Sequence, residues 1–206
     1  MRIAKDAFRF LIPLSFISLL AILSNFLWTG LFFVALTIFV GFFFRDPERK
    51  ILIGDGLILA PADGKIVAVS EKSDGSKEVS IFLSIFNVHI NRSPITGKIE
   101  EIVYRRGTFR MAFDNRASIE NEQNSIAIKN ELFRIKCNQI AGAVARRIVC
   151  WKKTGDQVKV GERIGLIRFG SRVDIVLPVN VSLLVARGDK VWAGLTPIGR
   201  LILEQA

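Results

Sequence analysis

Hydrophobic and polar positions divide the chain at about residue 44. From Phe10 to Phe44 an apolar run of 35 residues carries no charged side chain. A bilayer-crossing helix takes about 20 apolar residues, so the run is too long for one span and just enough for two. Ser24-Asn25 and Trp28-Thr29-Gly30 break it near the middle, which predicts two helices joined by a tight turn. Beyond this run the pattern changes to short apolar stretches rich in β-branched residues: Leu57–Leu59, Lys65–Val69, Val79–Phe86, Ile99–Arg105, Ser125–Ile128, Leu132–Lys136, Ala143–Trp151, Ile164–Phe169, Val173–Leu177 and Val181–Val185. Strand-length runs with turn signals about every ten residues predict a β-sandwich or barrel. Asn115–Gln123 is polar and reads as a loop. No long amphipathic helix stands out, and Gln139–Arg147 is the best short candidate.

Charge gives the apolar run an orientation. Arg2, Lys5 and Arg9 precede or open it, and Arg45, Arg49 and Lys50 follow it. Basic residues at both ends place both on the cytoplasmic side, with Asn25–Gly30 outward. A shallow hairpin in one leaflet competes with a spanning one, because each half has only about 17 residues. A cleaved signal peptide is disfavoured by the length of the run and by the lack of a small-residue cleavage site. The expected organisation is a membrane-anchoring segment over residues 1–44 and a β-rich domain over residues 45–206.

Composition narrows the function classes. All but three of the 29 Lys and Arg, and all but one of the 19 Asp and Glu, lie from residue 45 onward, which leaves that part at +8. A basic domain tethered at a bilayer is drawn to anionic headgroups, by roughly 1 kcal/mol for each nearby cation. Nucleic acid is disfavoured as a partner, since the cations are scattered and no helix-turn-helix or zinc pattern appears. Cys137 and Cys150 are the only cysteines and His89 the only histidine. A four-Cys zinc site, a disulfide framework and a His-rich metal centre are therefore excluded, and no metal is expected. The cysteine usage fits a reducing, cytoplasm-facing location.

Two features point beyond a generic β domain. Gly155-Asp156-x-Val158-x-x-Gly161-Glu162-x-Ile164-Gly165 has the turn pattern of a flattened β-barrel of the biotinyl or lipoyl kind, with Asp63-Gly64-Lys65-Ile66 as its partner half. A carrier domain of that kind needs a modifiable Lys beside Met, and neither Met1 nor Met111 adjoins one. The second feature is Gly170-Ser171 between apolar runs. It lacks the second glycine of a Gly-x-Ser-x-Gly nucleophile elbow, so taken alone it reads as a turn.

Four segments in order change that reading. Phe43-Phe44-Arg45-Asp46-Pro47-Glu48-Arg49, then Ala60-Pro61-Ala62-Asp63-Gly64-Lys65, then Asn87-Val88-His89-Ile90-Asn91-Arg92-Ser93-Pro94, then Gly165-x-Ile167-x-Phe169-Gly170-Ser171-Arg172-Val173-Asp174 resemble the short form of phosphatidylserine decarboxylase proenzymes. The resemblance spans nearly the whole chain, the apolar N-terminal segment included.

It implies a mainly β, barrel-like catalytic domain, a flattened β-barrel or sandwich, behind an N-terminal hydrophobic helical hairpin on the cytoplasmic face of the cell membrane. It further implies self-cleavage between Gly170 and Ser171 into chains 1–170 and 171–206, which stay together as a heterodimer and can assemble into a higher oligomer. Ser171 becomes a covalent pyruvoyl group, the pyruvate cofactor, which forms a Schiff base with phosphatidylserine and accepts the electrons left as CO2 departs. His89 is the implied acid–base group, being the only side chain that titrates naturally near neutrality. Asp63 matches the Asp that supports self-cleavage in the longer bacterial forms. Those forms place a second His where this chain has Arg92, and Arg stays protonated and cannot act as that base. Asn91, Arg92 and Arg172 are candidates for gripping the anionic substrate, an arginine by a bidentate fork. The competing expectation is a membrane-tethered, lipoyl-like barrel acting as an adaptor or carrier without chemistry.

Overall fold

The computed structural model describes residues 2–108, 120–142, 147–168 and 170–202. The chain forms two compact units, Met1–Glu48 and Arg49–Ala206.

In the first unit a short ladder pairs β1 (Arg2–Ile3) with β2 (Arg45–Asp46) at the two ends of a helical hairpin. The hairpin consists of α1 (Phe8–Leu23), entered through a 3₁₀ turn at Lys5–Ala7, and α2 (Leu27–Phe43). The turn is tighter and earlier than the predicted Asn25–Gly30. Asn25 takes a left-handed φ of 62°, the short-side-chain solution for so sharp a reversal, and Trp28, Thr29 and Gly30 already belong to α2. Ser18 Oγ donates to Gly30 O at 3.2 Å, so one polar contact fixes how the helices meet. Both helices are apolar all round, and Phe16, Leu23, Trp28, Phe32 and Ile38 are exposed. Such a helix needs either a large protein core or lipid around it. Lys5–Leu23 is long and apolar enough to cross a membrane, whereas α2 is shorter.

The second unit is mainly β. Its strands are β3 (Leu57–Leu59), β4 (Gly64–Glu71), β5 (Lys77–Leu83), β6 (Ile90–Arg92), β7 (Gly97–Arg105), β8 (Gln123–Lys129), β9 (Arg134–Ile140) and β10 (Ile148–Cys150). They continue with β11 (Gln157–Val158), β12 (Arg163–Ile167), β13 (Ser171–Leu177), β14 (Val181–Leu183), β15 (Lys190–Val191) and β16 (Pro197–Leu201). Eight of these form a curled half-barrel in the order β11-β7-β8-β9-β13-β5-β4-β15, antiparallel throughout. Two three-stranded sheets, β10-β12-β6 and β14-β16-β3, complete the unit.

The predicted β-rich character holds, with shifts where local pattern is ambiguous. β6 and β16 were not anticipated, because Asn91-Arg92 and the Pro197 and Gly199 positions break the apolar signal. The short helix candidate at Gln139–Arg147 is not a helix at its start: Gln139 and Ile140 end β9, where pairing with β8 and β13 overrides local propensity. Most of the predicted loop at Asn115–Gln123, together with residues 143–146 and Phe169, lies outside the described residues. The core is the inner face of the half-barrel, where Val79, Ile81, Leu83, Ile126, Ile128, Ile135, Cys137, Val173, Ile175 and Leu177 pack together.

Candidate active site

β13 runs between β9 and β5, and its register sets the site. Ser171 pairs with Leu83, while Val173 faces Ile81 on one side and Gln139 on the other. Alternate residues of a strand share a face. Ser171 therefore points to the inner face with Val173, Ile175 and Leu177, and Arg172 and Asp174 point outward. Ser171 is fully buried, and its Oγ has no hydrogen-bond partner among the described residues. Gly170 before it has a φ of 57°, and a Cβ added there would meet nothing within 4 Å. Backbone conformation, not space, demands glycine at this position. The pair thus joins a left-handed residue to the first residue of a central strand.

His89 stands just before β6, which pairs with β12, the strand leading to Gly170. Ile90 faces Leu166, Asn91 faces Gly165, and Ile167 N–H donates to His89 O at 3.2 Å. A pinned turn orients the imidazole. Ser84 N–H and Oγ–H both donate to Asn87 Oδ1, at 2.9 and 2.8 Å, and Asn87 N–H donates back to Ser84 O at 2.9 Å. This turn starts directly after Leu83, the register partner of Ser171. The Asn87 carbonyl lies 3.0 Å from His89 Nδ1. A carbonyl only accepts, so Nδ1 carries the proton and Nε2 is the basic nitrogen of the neutral ring. His89 and Asn91 are two residues apart and share a side of the strand.

The remaining sequence candidates occupy other surroundings. Both Asp63 oxygens are held by the Arg49 fork at 2.6 and 2.7 Å, and Ala193 N–H adds a bond at 2.8 Å. Arg49 also donates to Ala193 O at 2.6 Å, so Asp63 anchors an arginine clamp and bonds neither His89 nor Ser171. Arg92 lies on the opposite side of β6 from Asn91, where it donates to Gly161 O at 3.0 Å. Arg172 lies on the outer face of the half-barrel, its Nε on Asp174 and an Nη on Ser80 Oγ, each at 2.6 Å. The structure thus sets the segment of His89 and Asn91 beside β12, the strand that leads to Gly170, and commits Arg172 to Asp174 and Ser80 on the outer face.

Several residues at this end escaped the sequence reading. Gln139 and Asn124 bring buried amides to the inner face on β9 and β8. Tyr104 on β7 bonds the buried Glu122 carboxylate. Partial burial first, and this bond second, hold its phenol above the usual range against the opposing charges of Arg106 and Arg147. A polar residue at an inward position of an otherwise aliphatic strand is the signal that marks Gln139 and Asn124, but it requires the register to be known. A cavity of about 630 Å³ is lined by Lys98, Glu100, Lys129 and Leu132 among others. It sits at the far end of the half-barrel, where Lys129 pairs with Arg134, and is not the Ser171 site.

Comparison with known proteins supplies the family. Residues 36–199 match the family model for phosphatidylserine decarboxylase. The chain belongs to the phosphatidylserine decarboxylase family. The phosphatidylserine decarboxylase proenzyme of Carboxydothermus hydrogenoformans is 43% identical over 204 residues, 96% of this chain and 95% of that protein. The proenzyme of Citrifermentans bemidjiense is 45% identical over 194 residues, covering 89% of each chain. That of Xanthobacter autotrophicus is 46% identical over 195 residues, 90% of this chain and 83% of the relative. Membership makes the chain an enzyme of phospholipid synthesis and a decarboxylase, which removes the adaptor alternative.

Proposed function

We propose that the chain is a membrane-attached proenzyme that cuts itself between Gly170 and Ser171. It then converts phosphatidylserine to phosphatidylethanolamine and CO2 at the cytoplasmic face of the cell membrane. The observation that carries this reading is the buried, unpartnered Ser171 hydroxyl directly after a left-handed Gly170. A hydroxyl withdrawn from water without a hydrogen bond is costly, and a structural Ser would be expected to find a partner, as Ser93 finds Ile95 O at 2.7 Å.

In the first reaction Ser171 Oγ attacks the Gly170 carbonyl carbon and gives up its proton. We assign that proton to His89 Nε2, the ring nitrogen left basic when Nδ1–H faces the Asn87 carbonyl. The Gly170–Ser171 amide becomes an ester, and elimination across Cα–Cβ of residue 171 releases chain 1–170 as a carboxylate. The dehydroalanine left at residue 171 takes up one water and releases ammonia, which leaves the carbonyl terminus. The short chain supplies β13 through β16, which pair with β9, β5, β4 and β3 of the long one, so these ladders hold the cut pieces together.

A pyruvoyl group at residue 171 fits this site: it forms from the side chain present, on a rigid central strand with a dry aliphatic floor. When formed, it supplies the carbonyl electron sink for loss of CO2. Around it, His89 Nε2 holds the proton to be returned to the substrate α-carbon, and the Val173, Ile81 and Leu83 side excludes water. The apolar hairpin, flanked by cations, carries the enzyme to its lipid substrate.

Intact mass under denaturing conditions tests the reading. Two pieces, 1–170 and 171–206, are expected, the shorter starting in a carbonyl and not an amine, together with phosphatidylethanolamine formed from phosphatidylserine. Ser171→Ala should give one uncut, inactive chain. An uncut Ser171→Ala protein that still decarboxylates would sink the proposal.

A further inference from the structure

Three buried amides on three strands form a directed chain at the Ser171 end of the inner face. Asn124 Nδ2 donates to Gln139 Oε1 at 2.8 Å, and Gln139 Nε2 donates to Asn91 Oδ1 at 2.8 Å. All three residues are at most 3% exposed. The direction of the chain decides what reaches its end. Asn91 Oδ1 accepts from Gln139, which turns the two Nδ2 donors to the open end of the chain, and this buried Nδ2 has no acceptor among the described residues. Such an unmade bond costs about 1–3 kcal/mol. An amide kept only for structure closes on a backbone carbonyl, as Asn121 Nδ2 does on Ala141 O at 2.8 Å.

The backbone is shaped to let this chain pass. Gly165 lies opposite Asn91, and a Cβ there would stand 3.2 Å from Gln139 Nε2 and 2.3 Å from Val149 O. Gln139 in turn faces Val173, two residues along from Ser171. The open Nδ2 therefore belongs to the same polar end of the core as the Ser171 hydroxyl and the His89 side of β6.

We propose that Asn91 Nδ2, positioned by Gln139 and Asn124, donates a hydrogen bond to an anionic oxygen at residue 170 or 171. This rests on the self-cleaving reading above. Two oxygens share the required chemistry: the oxyanion on the Gly170 carbon during self-cleavage, and an anionic oxygen of the bound headgroup. In self-cleavage the Ser171 Oγ–carbon bond forms as its proton passes to a base, and the carbonyl electron pair moves onto the oxygen. That pair then returns, the carbon–nitrogen bond breaks, and the nitrogen takes a proton to become an amine. A fixed neutral donor stabilises the charge at the moment it develops, and one such donor contributes roughly 100- to 1,000-fold in rate. Asn91 touches the reacting oxygen; Gln139 and Asn124 are positioning residues.

Asn91→Asp and Gln139→Glu test this, because both keep the shape of the side chain. Asn91→Asp still accepts from Gln139 but ends the chain in an anion. Gln139→Glu still accepts from Asn124 but can no longer donate, so Asn91 turns its nitrogen toward the new carboxylate. Full-length chains made by cell-free synthesis in detergent are followed by mass for the appearance of 171–206, with the unfolding midpoint read in parallel. The matured fraction is assayed for kcat and KM on phosphatidylserine in mixed micelles, per mole of carbonyl-terminated short chain.

The expected result is an unfolding transition like wild type with cutting slowed about 100-fold in both variants, which assigns the donor to the Gly170 oxygen. Unchanged cutting with KM raised about tenfold at constant kcat assigns it to the headgroup. Cutting and turnover within about twofold of wild type in both overturns the proposal, as does loss of the unfolding transition in both, which would make the chain structural. If only Asn91→Asp fails to fold, Gln139→Glu decides by the same readings. A wild-type chain that itself stays whole refutes the self-cleaving reading, and this proposal with it.

Discussion

The two faces of β13 bury polar groups for different ends. Outward, Arg172 and Asp174 form an ion pair completed by Ser80, with opposite charges side by side and two of the three guanidinium nitrogens bonded. Inward, Ser171, Asn91, Gln139 and Asn124 are uncharged, and the Ser171 Oγ and Asn91 Nδ2 end without partners among the described residues. Neighbouring residues of one strand thus separate a charge-paired cluster, with Arg172 Nη1 unbonded among the described residues, from an uncharged one. Charge pairing holds a fold in register. Uncharged groups left unbonded carry an unspent interaction that a reacting group can use. Burial and an unmade bond occur on both faces; the ion pair is what distinguishes the outer one.

Breaking each face separately should expose the difference. The largest loss of stability is expected from Asp174→Ala, which strands the Arg172 charge in the interior: about 3–5 kcal/mol, read as a lower unfolding midpoint in detergent. Ser171→Ala removes a hydroxyl with no hydrogen-bond partner among the described residues and should leave the midpoint nearly unchanged while the chain stays whole. A large stability loss in Ser171→Ala would erase the contrast. Gly170→Ala comes next. No atom obstructs the added methyl, so the cost is the left-handed backbone alone, roughly 1–2 kcal/mol, with a fold that survives and a slower cut seen by mass.

Smaller effects concern groups away from the uncharged cluster. Burial disfavours the charged form of Glu162, but the Lys152 ammonium bonded to it, the Lys159 N–H at 2.9 Å and the charges of both lysines outweigh this and hold its carboxyl below the usual range. A folded pKa below the unfolded one contributes stability above the ordinary Glu range, lost as pH falls through the folded value. Acid unfolding of Glu162→Gln should therefore show less midpoint loss below about pH 4.5 than wild type, by at most about 1 kcal/mol for this half-exposed pair. The smallest response belongs to Cys137 on the aliphatic floor. Burial pushes its thiol up to about 12, so no alkylation at pH 8 is expected until the chain unfolds. Labelling of the folded chain would show that the floor opens.

The order of motifs along the chain, the apolar run before residue 44 and the β-rich remainder were legible in the sequence, because hydropathy, turn residues and β-branched runs act locally. Gly170-Ser171 was legible only through its company, since a Gly-Ser between strands is ordinary by itself. Tertiary structure decided what each polar residue does. Asp63 and Arg49 are 14 residues apart, and Asp63 and Ala193 are 130; only the fold brings them into one clamp. Arg92 and Arg172 looked equally fit to hold an anion, yet Arg92 donates to Gly161 O and strand alternation turns Arg172 away from Ser171. Asn124, Gln139 and Asn91 lie on three strands of two sheets, so their chain exists only once register is set. Side-chain chemistry and local pattern are properties of the chain; direction and partnership depend on which strand face a residue occupies, and a shift of one residue reverses that face.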